Sequence, residues 1–190
     1  DSEEYEFLEA FISKVAAAGC KTFIVHARKA WLKGLSPKEN REIPPLNYGV
    51  VTRLKQAYPH LTIILNGGLK TLPQLDDALT SVDGVMIGRE AYHNPYSLAE
   101  MEAHLFGTAL PDRGEIAQAM IPYIEMAHGK YGASIHNVTR HMLGLWNGMP
   151  GARHTRQLLG GASLSAKDAT TLINETVKAI NSRENKTLAA

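Results

Sequence analysis

The chain has 190 residues, 20 Lys and Arg against 19 Asp and Glu, a net charge of +1, 44% hydrophobic residues and one cysteine. This suits one globular domain, or one and a half, large enough to bury a core without disulfides; the lone cysteine excludes a disulfide framework or a cysteine-built zinc cluster and fits a reducing compartment. No apolar run approaches the roughly 20 residues of a membrane helix, and the acidic start Asp1-Ser2-Glu3-Glu4 is the opposite of a basic signal peptide, so a soluble, cytoplasmic protein is expected.

In chain order, Phe7, Leu8, Phe11, Ile12, Val15 and Ala16 recur at helical spacing, predicting a helix from Tyr5 to Ala18 closed by Gly19. Thr22 to Val25 is a short run of β-formers, read as a strand buried on both faces. A polar excursion from Ala27 to Leu46 follows, then a helix from Tyr48 to Ala57. A second strand, Leu61 to Leu65, ends at Asn66-Gly67-Gly68; Thr71 opens a helix with capping-box spacing. The third strand, Gly84 to Ile87, ends at Gly88-Arg89 and leads to a helix from Pro95 to Leu105.

Buried strands alternating with helices predict an α/β architecture with a parallel sheet. Strand-like runs then cease. Helices are predicted from Asp112, the start of an Asp-Arg-Gly-Glu capping box, to Tyr131, and at 134–146, 151–159 and 165–182, the last opened by Ser165-Ala166-Lys167-Asp168. The expected division is therefore an α/β part, 1–107, and an all-helical domain, 108–190, with residues 185–190 frayed at the end.

In α/β barrels and open sheets ligands bind at the carboxyl ends of the strands. That selects His26 to Arg28, Asn66 to Gly68, and Gly88 to Arg89. Gly67-Gly68 brings backbone N–H groups close to an anion, Gly88 precedes a helix N-terminus, and the Arg89 guanidinium suits phosphate oxygens. Each glycine pair could be only a tight turn; on neighbouring strand ends they point to a phosphate site. His26 can donate to a carbonyl or phosphate, or shuttle a proton. The remaining histidines show no metal-ligand spacing: His136 and His141, five apart, are off-face on a helix, and no metal site is expected.

From His26 to Arg41 the chain holds five Lys and Arg against one acid, with Trp31 among them. A basic loop with an embedded aromatic offers phosphate contacts and a stacking platform, the combination that single-stranded or flipped RNA uses. A solvated loop with its tryptophan packed inward is the alternative that composition leaves open. From Thr108 onward nine Lys and Arg face six Asp and Glu; Arg140, Arg153 and Arg156 are candidate phosphate contacts, with an ordinary helix-surface cation the equal alternative for Arg140.

The segments Phe23 to Leu46, Asn66-Gly-Gly, Gly84-Val-Met-Ile-Gly-Arg-Glu-Ala-Tyr92 and Thr139-Arg-His-Met-Leu-Gly-Leu145 closely resemble the tRNA-dihydrouridine synthases, specifically the A-type bacterial subfamily. The resemblance spans about residues 5–182. It implies the C-terminal part of an FMN-binding TIM (β/α)8 barrel, about strands six to eight, followed by a helical tRNA-binding domain. It further implies FMN as cofactor, NADPH as reductant, and reduction of the C5–C6 bond of D-loop uridines 20 and 20a, the target base being drawn out of its stack. By this resemblance His26 meets flavin and uracil, and Arg28 the target base; Asn66, Gly67, Gly68, Gly88 and Arg89 hold the flavin; Lys38, Arg41, Arg153 and Arg156 meet tRNA.

The family's catalytic cysteine and flavin-contacting lysine have no counterpart here. Cys20 precedes a strand, at the end away from the predicted site, and reads as a small buried structural residue. The chain therefore reads as part of a longer synthase, inactive by itself, whose full-length form is expected to be a cytoplasmic monomer that binds tRNA, not DNA or membrane. Two alternatives are carried: another FMN barrel reducing a small pyrimidine or enoate, and a non-catalytic RNA-binding module. Three parallel strands with two open edges argue against the module.

Overall fold

The computed structural model describes residues 2–31, 33–161, 165 and 168–188. The elements are α1 (Ser2–Ala17), β1 (Thr22–His26), a 3-10 turn (Glu39–Arg41), α2 (Tyr48–Ala57), β2 (Thr62–Asn66), α3 (Leu72–Leu79), β3 (Gly84–Met86), α4 (Arg89–His93), α5 (Tyr96–Phe106), α6 (Arg113–Ala119), α7 (Ile121–Tyr131), α8 (Ile135–Thr139), α9 (Ala152–Gly160) and α10 (Ala169–Leu188). Among the described residues no helix is long and apolar enough to cross a membrane. By its contacts the chain divides into two units, Asp1–Gly88 and Arg89–Ala190.

The first unit is α/β. Its strands pair in parallel in the order β1-β2-β3, with Thr22 opposite Thr62, His26 opposite Asn66, and Asn66 opposite Met86. Side chains alternate across a strand, so Phe23 and Val25, then Ile63 and Leu65, enter one core with Tyr5, Ile12, Val51 and Leu54 of the helices. The Arg53 guanidinium sits 3.6 Å from the Tyr5 ring centroid and ties α2 to α1. The expectation of a strand buried on both faces is corrected for β1: burial alternates, and Ile24 is 56% exposed. An apolar run is equally compatible with one covered face or two, and among the described residues only one face of β1 is covered.

Lys55 and Asp83 lock the entry to β2. Lys55 Nζ lies 2.8 Å from Asp83 Oδ2 and donates to the Pro59 and Leu61 carbonyls, while Ile63 N donates to Asp83 Oδ2 at 2.7 Å. The predicted Thr71 boundary holds: Gln74 Oε1 accepts from Lys70 N at 2.9 Å and Thr71 N at 3.2 Å.

The second unit is helical. The predicted helix 112–131 is two helices meeting at Met120, with Pro122 in the first turn of α7, where a missing N–H costs nothing. The Asp112 box forms, with Asp112 Oδ1 accepting from Gly114 N and Glu115 Oε2 from Asp112 N. The predicted helix 134–146 stops at Thr139, and residues 140–151 continue in turns. Two features end it. Thr139 is fully buried with Oγ1 on the Leu159 carbonyl at 2.9 Å, and Gly144 is pressed against the His93 carbonyl, which a Cβ would strike. Trp146, Leu145 and Met142 of the turns enter a core with Ile124, Leu159, Ile173 and Ile180.

α4 and α5 also belong to this unit. Tyr96 packs on the helical core, its hydroxyl donates to the Pro111 carbonyl at 3.0 Å, and Arg113 covers its ring at 4.0 Å. The expected division at 107 groups the helix after β3 with the strands, whereas packing draws the line at Gly88 and puts α4 and α5 with the later helices. α10 begins at Ala169, capped by Asp168, whose carboxylate accepts from Thr170 N and Thr171 N. Of the opening expected at 165–168, Ala166 and Lys167 lie outside the described residues, as do Ala189 and Ala190 of the expected frayed tail.

Candidate functional site

β1 and β2 end side by side. His26 and Asn66 are partners in the parallel register and share a face, His26 exposed and Asn66 half-buried. The crossing is continued by Ala27 N, which donates to the Asn66 carbonyl at 2.8 Å, and by Asn47 N, which donates to the Ala27 carbonyl at 2.8 Å. Asn47 then caps α2, its side chain accepting from Val50 N. The long loop is thus tied back to the strand end it leaves, and Arg28 and Leu46 form an isolated antiparallel bridge.

Gly67 and Gly68 follow at φ 136° and 70°, values that side-chain-bearing residues rarely adopt. A Cβ would lie 2.9 Å (Gly67) or 2.6 Å (Gly68) from the methyls of Leu46, so the glycines also admit the loop's closing leucine. Tyr48 Oη donates to the Gly67 carbonyl at 2.7 Å; its burial raises its pKa, opposed by the nearby Arg28 charge. Among the described residues neither Gly67 N–H nor Gly68 N–H donates to a loop acceptor. Sequence reasoning had the glycine pair but missed Leu46 and Tyr48, which hold it.

Arg28 is half-buried, with NH1 on the Pro44 carbonyl and Nε buried without a partner. A cavity of about 380 Å³ at this end of β1 is lined by Phe7, His26, Arg28, Lys29, Asn47 and Val50, among others, and not by the glycine pair. Gly88 runs directly into α4, with Arg89 its first residue.

The basic loop has an internal clamp. Asn40 Oδ1 accepts from Trp31 N at 2.7 Å and Asn40 Nδ2 donates to the Trp31 carbonyl at 3.0 Å. Ser36 and Glu39 bond reciprocally, Ser36 N to Glu39 Oε2 at 2.8 Å and Glu39 N to Ser36 Oγ at 3.3 Å; the Glu39 pKa is lowered by the Ser36 hydroxyl beside its carboxylate and then by the Ser36 N–H. The clamp leaves Lys38 and Arg41 exposed and Trp31 46% exposed, so the tryptophan is not packed inward. In the helical unit Arg153 and Arg156 are both exposed on α9, and Arg156 NH1 donates to Asn147 Oδ1 at 2.9 Å.

Cys20 is half-buried, not fully buried, with Sγ 3.4 Å from the Thr22 carbonyl at the start of β1, the opposite strand end from His26. Among the described residues no group of three or more His, Cys, Asp or Glu is placed to hold a metal ion.

The family model described as "Dihydrouridine synthase (Dus)" matches residues 1–183. Three similar relatives are each named tRNA-dihydrouridine(20/20a) synthase. The one from Shewanella oneidensis is 53% identical over 84% of this chain and 48% of its own length. The one from Pseudomonas syringae pv. tomato is 51% identical over 93% and 53%, and the one from Vibrio parahaemolyticus 54% over 83% and 49%. The chain spans about half the length of the curated relatives it matches.

Proposed function

The chain belongs to the dihydrouridine synthase family, and on that premise we propose that it carries part of a flavin-dependent enzyme that reduces tRNA uridines to dihydrouridine. In this reading β1 to β3 are the last strands of a (β/α)8 barrel, residues 1–107 complete that barrel, and residues 108–190 are a helical domain that meets tRNA. The enzyme works in the cytoplasm as a monomer, on uridines 20 and 20a.

One observation carries the reading: His26 and Asn66 lie side by side at the carboxyl ends of parallel strands, where barrels place their chemistry, next to a loop that holds Lys38 and Arg41 exposed. The donors present fit FMN. The Gly67 and Gly68 amides meet no loop acceptor among the described residues. Asn66, Gly67, Gly68, Gly88 and Arg89 would hold the cofactor, with His26 against its ring system. FMN bound there and reduced by NADPH would provide the hydride for C6 of the uracil.

The remaining work is positioning. Arg28 would orient the target base, and Lys38, Arg41, Arg153 and Arg156 would neutralise phosphates, a contribution that weakens with salt. The proton for C5 needs an acid that Cys20, at the far strand end, does not provide. The 190-residue chain alone is therefore expected to show no turnover and at most weak FMN binding.

The test is genetic and chemical. The full-length protein should purify with bound flavin, and a strain lacking it should lose dihydrouridine at tRNA positions 20 and 20a. Unchanged dihydrouridine at both positions refutes the function, and turnover by the 190-residue chain refutes the assignment of the acid elsewhere.

A further inference from the structure

The helical unit contains a second cavity, of about 390 Å³, lined by Tyr92, His93, Arg140, His141, Asn147 and Arg156 with Leu143 and Gly144. No carboxylate is among them. The floor is rigid: Asn147 Nδ2 donates to the His93 carbonyl at 2.6 Å, Gly144 packs on that same carbonyl, and Arg113 NH1 holds the Leu145 and Asn147 carbonyls at 2.8 and 3.0 Å.

The polar lining is ordered by one chain of hydrogen bonds. Arg140 Nε donates to His141 Nε2 at 3.2 Å, and a guanidinium can only donate. His141 Nε2 is therefore an acceptor, and the neutral ring carries its proton on Nδ1. That proton goes to Tyr92 Oη, 2.9 Å away, which leaves the tyrosine's own hydroxyl hydrogen for an outside acceptor. Arg156 is oriented in the same manner by a neutral oxygen, Asn147 Oδ1 at 2.9 Å. Both guanidiniums are thus aimed by uncharged partners and keep their full charge: neither makes an ion pair with the described residues.

Two undischarged arginine forks, a free hydroxyl donor and no competing carboxylate make a site for an anion, and the fork geometry favours phosphate. The Tyr92 ring is 56% exposed and stands edge-on to His93 and His141, a platform that a ribose or base can cover. We propose that this cavity takes a backbone phosphate of the RNA substrate, Tyr92 and Arg140 adding to the Arg156 contact given above, with His141 and Asn147 as positioning residues. The proposal rests on the tRNA reading above, which it deepens by giving the helical unit a defined phosphate subsite. A free nucleotide offers the same phosphate chemistry, so the test separates the two sources.

The full-length protein is titrated with tRNA across a salt series, and the KM for reduced dinucleotide is measured beside it. Arg140→Gln and Arg156→Gln should each weaken tRNA binding by about 5–10-fold and flatten the slope of log affinity against log salt by about one. Tyr92→Phe should lose about threefold with the slope unchanged, since it removes a neutral donor. If a glutamine variant melts lower than the parent, Arg140→Lys is read instead: the slope should return, with affinity only partly restored because the fork is lost. Unchanged affinity and slope in both glutamine variants overturns the subsite while the parent still binds tRNA. A shift in dinucleotide KM with unchanged tRNA affinity overturns the RNA assignment. Failure of the parent itself to bind tRNA removes the underlying reading, and that is seen without any variant.

Discussion

The two units build polar sites by different means. In the α/β unit, strand position does the placing: His26 and Asn66 are neighbours because β1 and β2 pair in register, and the loop supports them through Asn47 and Leu46. In the helical unit, the cavity wall comes from turns after α8, and its side chains are aimed by one another across 49 residues, from Tyr92 to His141. Backbone pairing survives many side-chain changes, whereas a side-chain relay fails when one member is lost. The helical site should therefore be the more fragile of the two.

The largest test of that contrast is Trp146→Ala. The indole is 1% exposed and anchors the turns under the cavity to the helical core. Truncation should cost about 3–5 kcal/mol, read from denaturant melts. Hydrogen exchange in the same variant should rise in residues 89–188 and stay unchanged in β1 and β2; equal loss of protection in both would show that the two contact-defined units melt as one.

A middle-sized test lies in the α/β unit. Gly68→Ala places a Cβ 2.6 Å from a Leu46 methyl at φ 70°, which should cost about 1–2 kcal/mol. The two causes separate in a double-mutant cycle with Leu46→Ala, which relieves the clash and leaves the backbone strain. If the double variant is no more stable than additivity predicts, the turn geometry alone explains the glycine.

Legibility in the sequence follows the same contrast. The strands, their polar ends and the capping residues at Thr71 and Asp112 were readable because each is a local pattern with a local physical cause. The side of β1 that is covered was not, since Thr22 to Val25 is apolar on both faces and only the placement of helices decides. The end of α8 was missed because helical periodicity continues to 146 while Gly144 meets a carbonyl 51 residues earlier in the chain. Within the basic loop, charge counting found Lys38 and Arg41 but not Asn40, whose amide clamps the Trp31 backbone. His141 was set aside for its spacing to another histidine, and its partners Tyr92 and Arg140 share no periodic pattern with it.

The smallest expected effect is the response to acid, and it sharpens the comparison because each unit holds an aspartate whose pKa is lowered. The Asp83 pKa is lowered mainly by the hydrogen bond from Lys55, then by Ile63 N–H; that of Asp168 is lowered mainly by the Thr171 hydroxyl, then by its backbone N–H. A carboxyl whose folded pKa is depressed adds stability above its unfolded pKa, about 3.9 for aspartate, and loses it as pH falls through the folded value. Asp83→Asn should therefore cost about 1 kcal/mol at neutral pH, a small figure because the carboxylate is 36% exposed, and the gap to the parent should close below about pH 4. Asp168→Asn should differ little from the parent at neutral pH, since asparagine caps a helix as well as aspartate does. Its melting temperature should fall less on acidification than the parent's. If Asp83→Asn instead leaves a constant gap from neutral pH to pH 3, the Lys55 pair is not what holds the entry to β2, and the backbone bond from Ile63 carries that role alone.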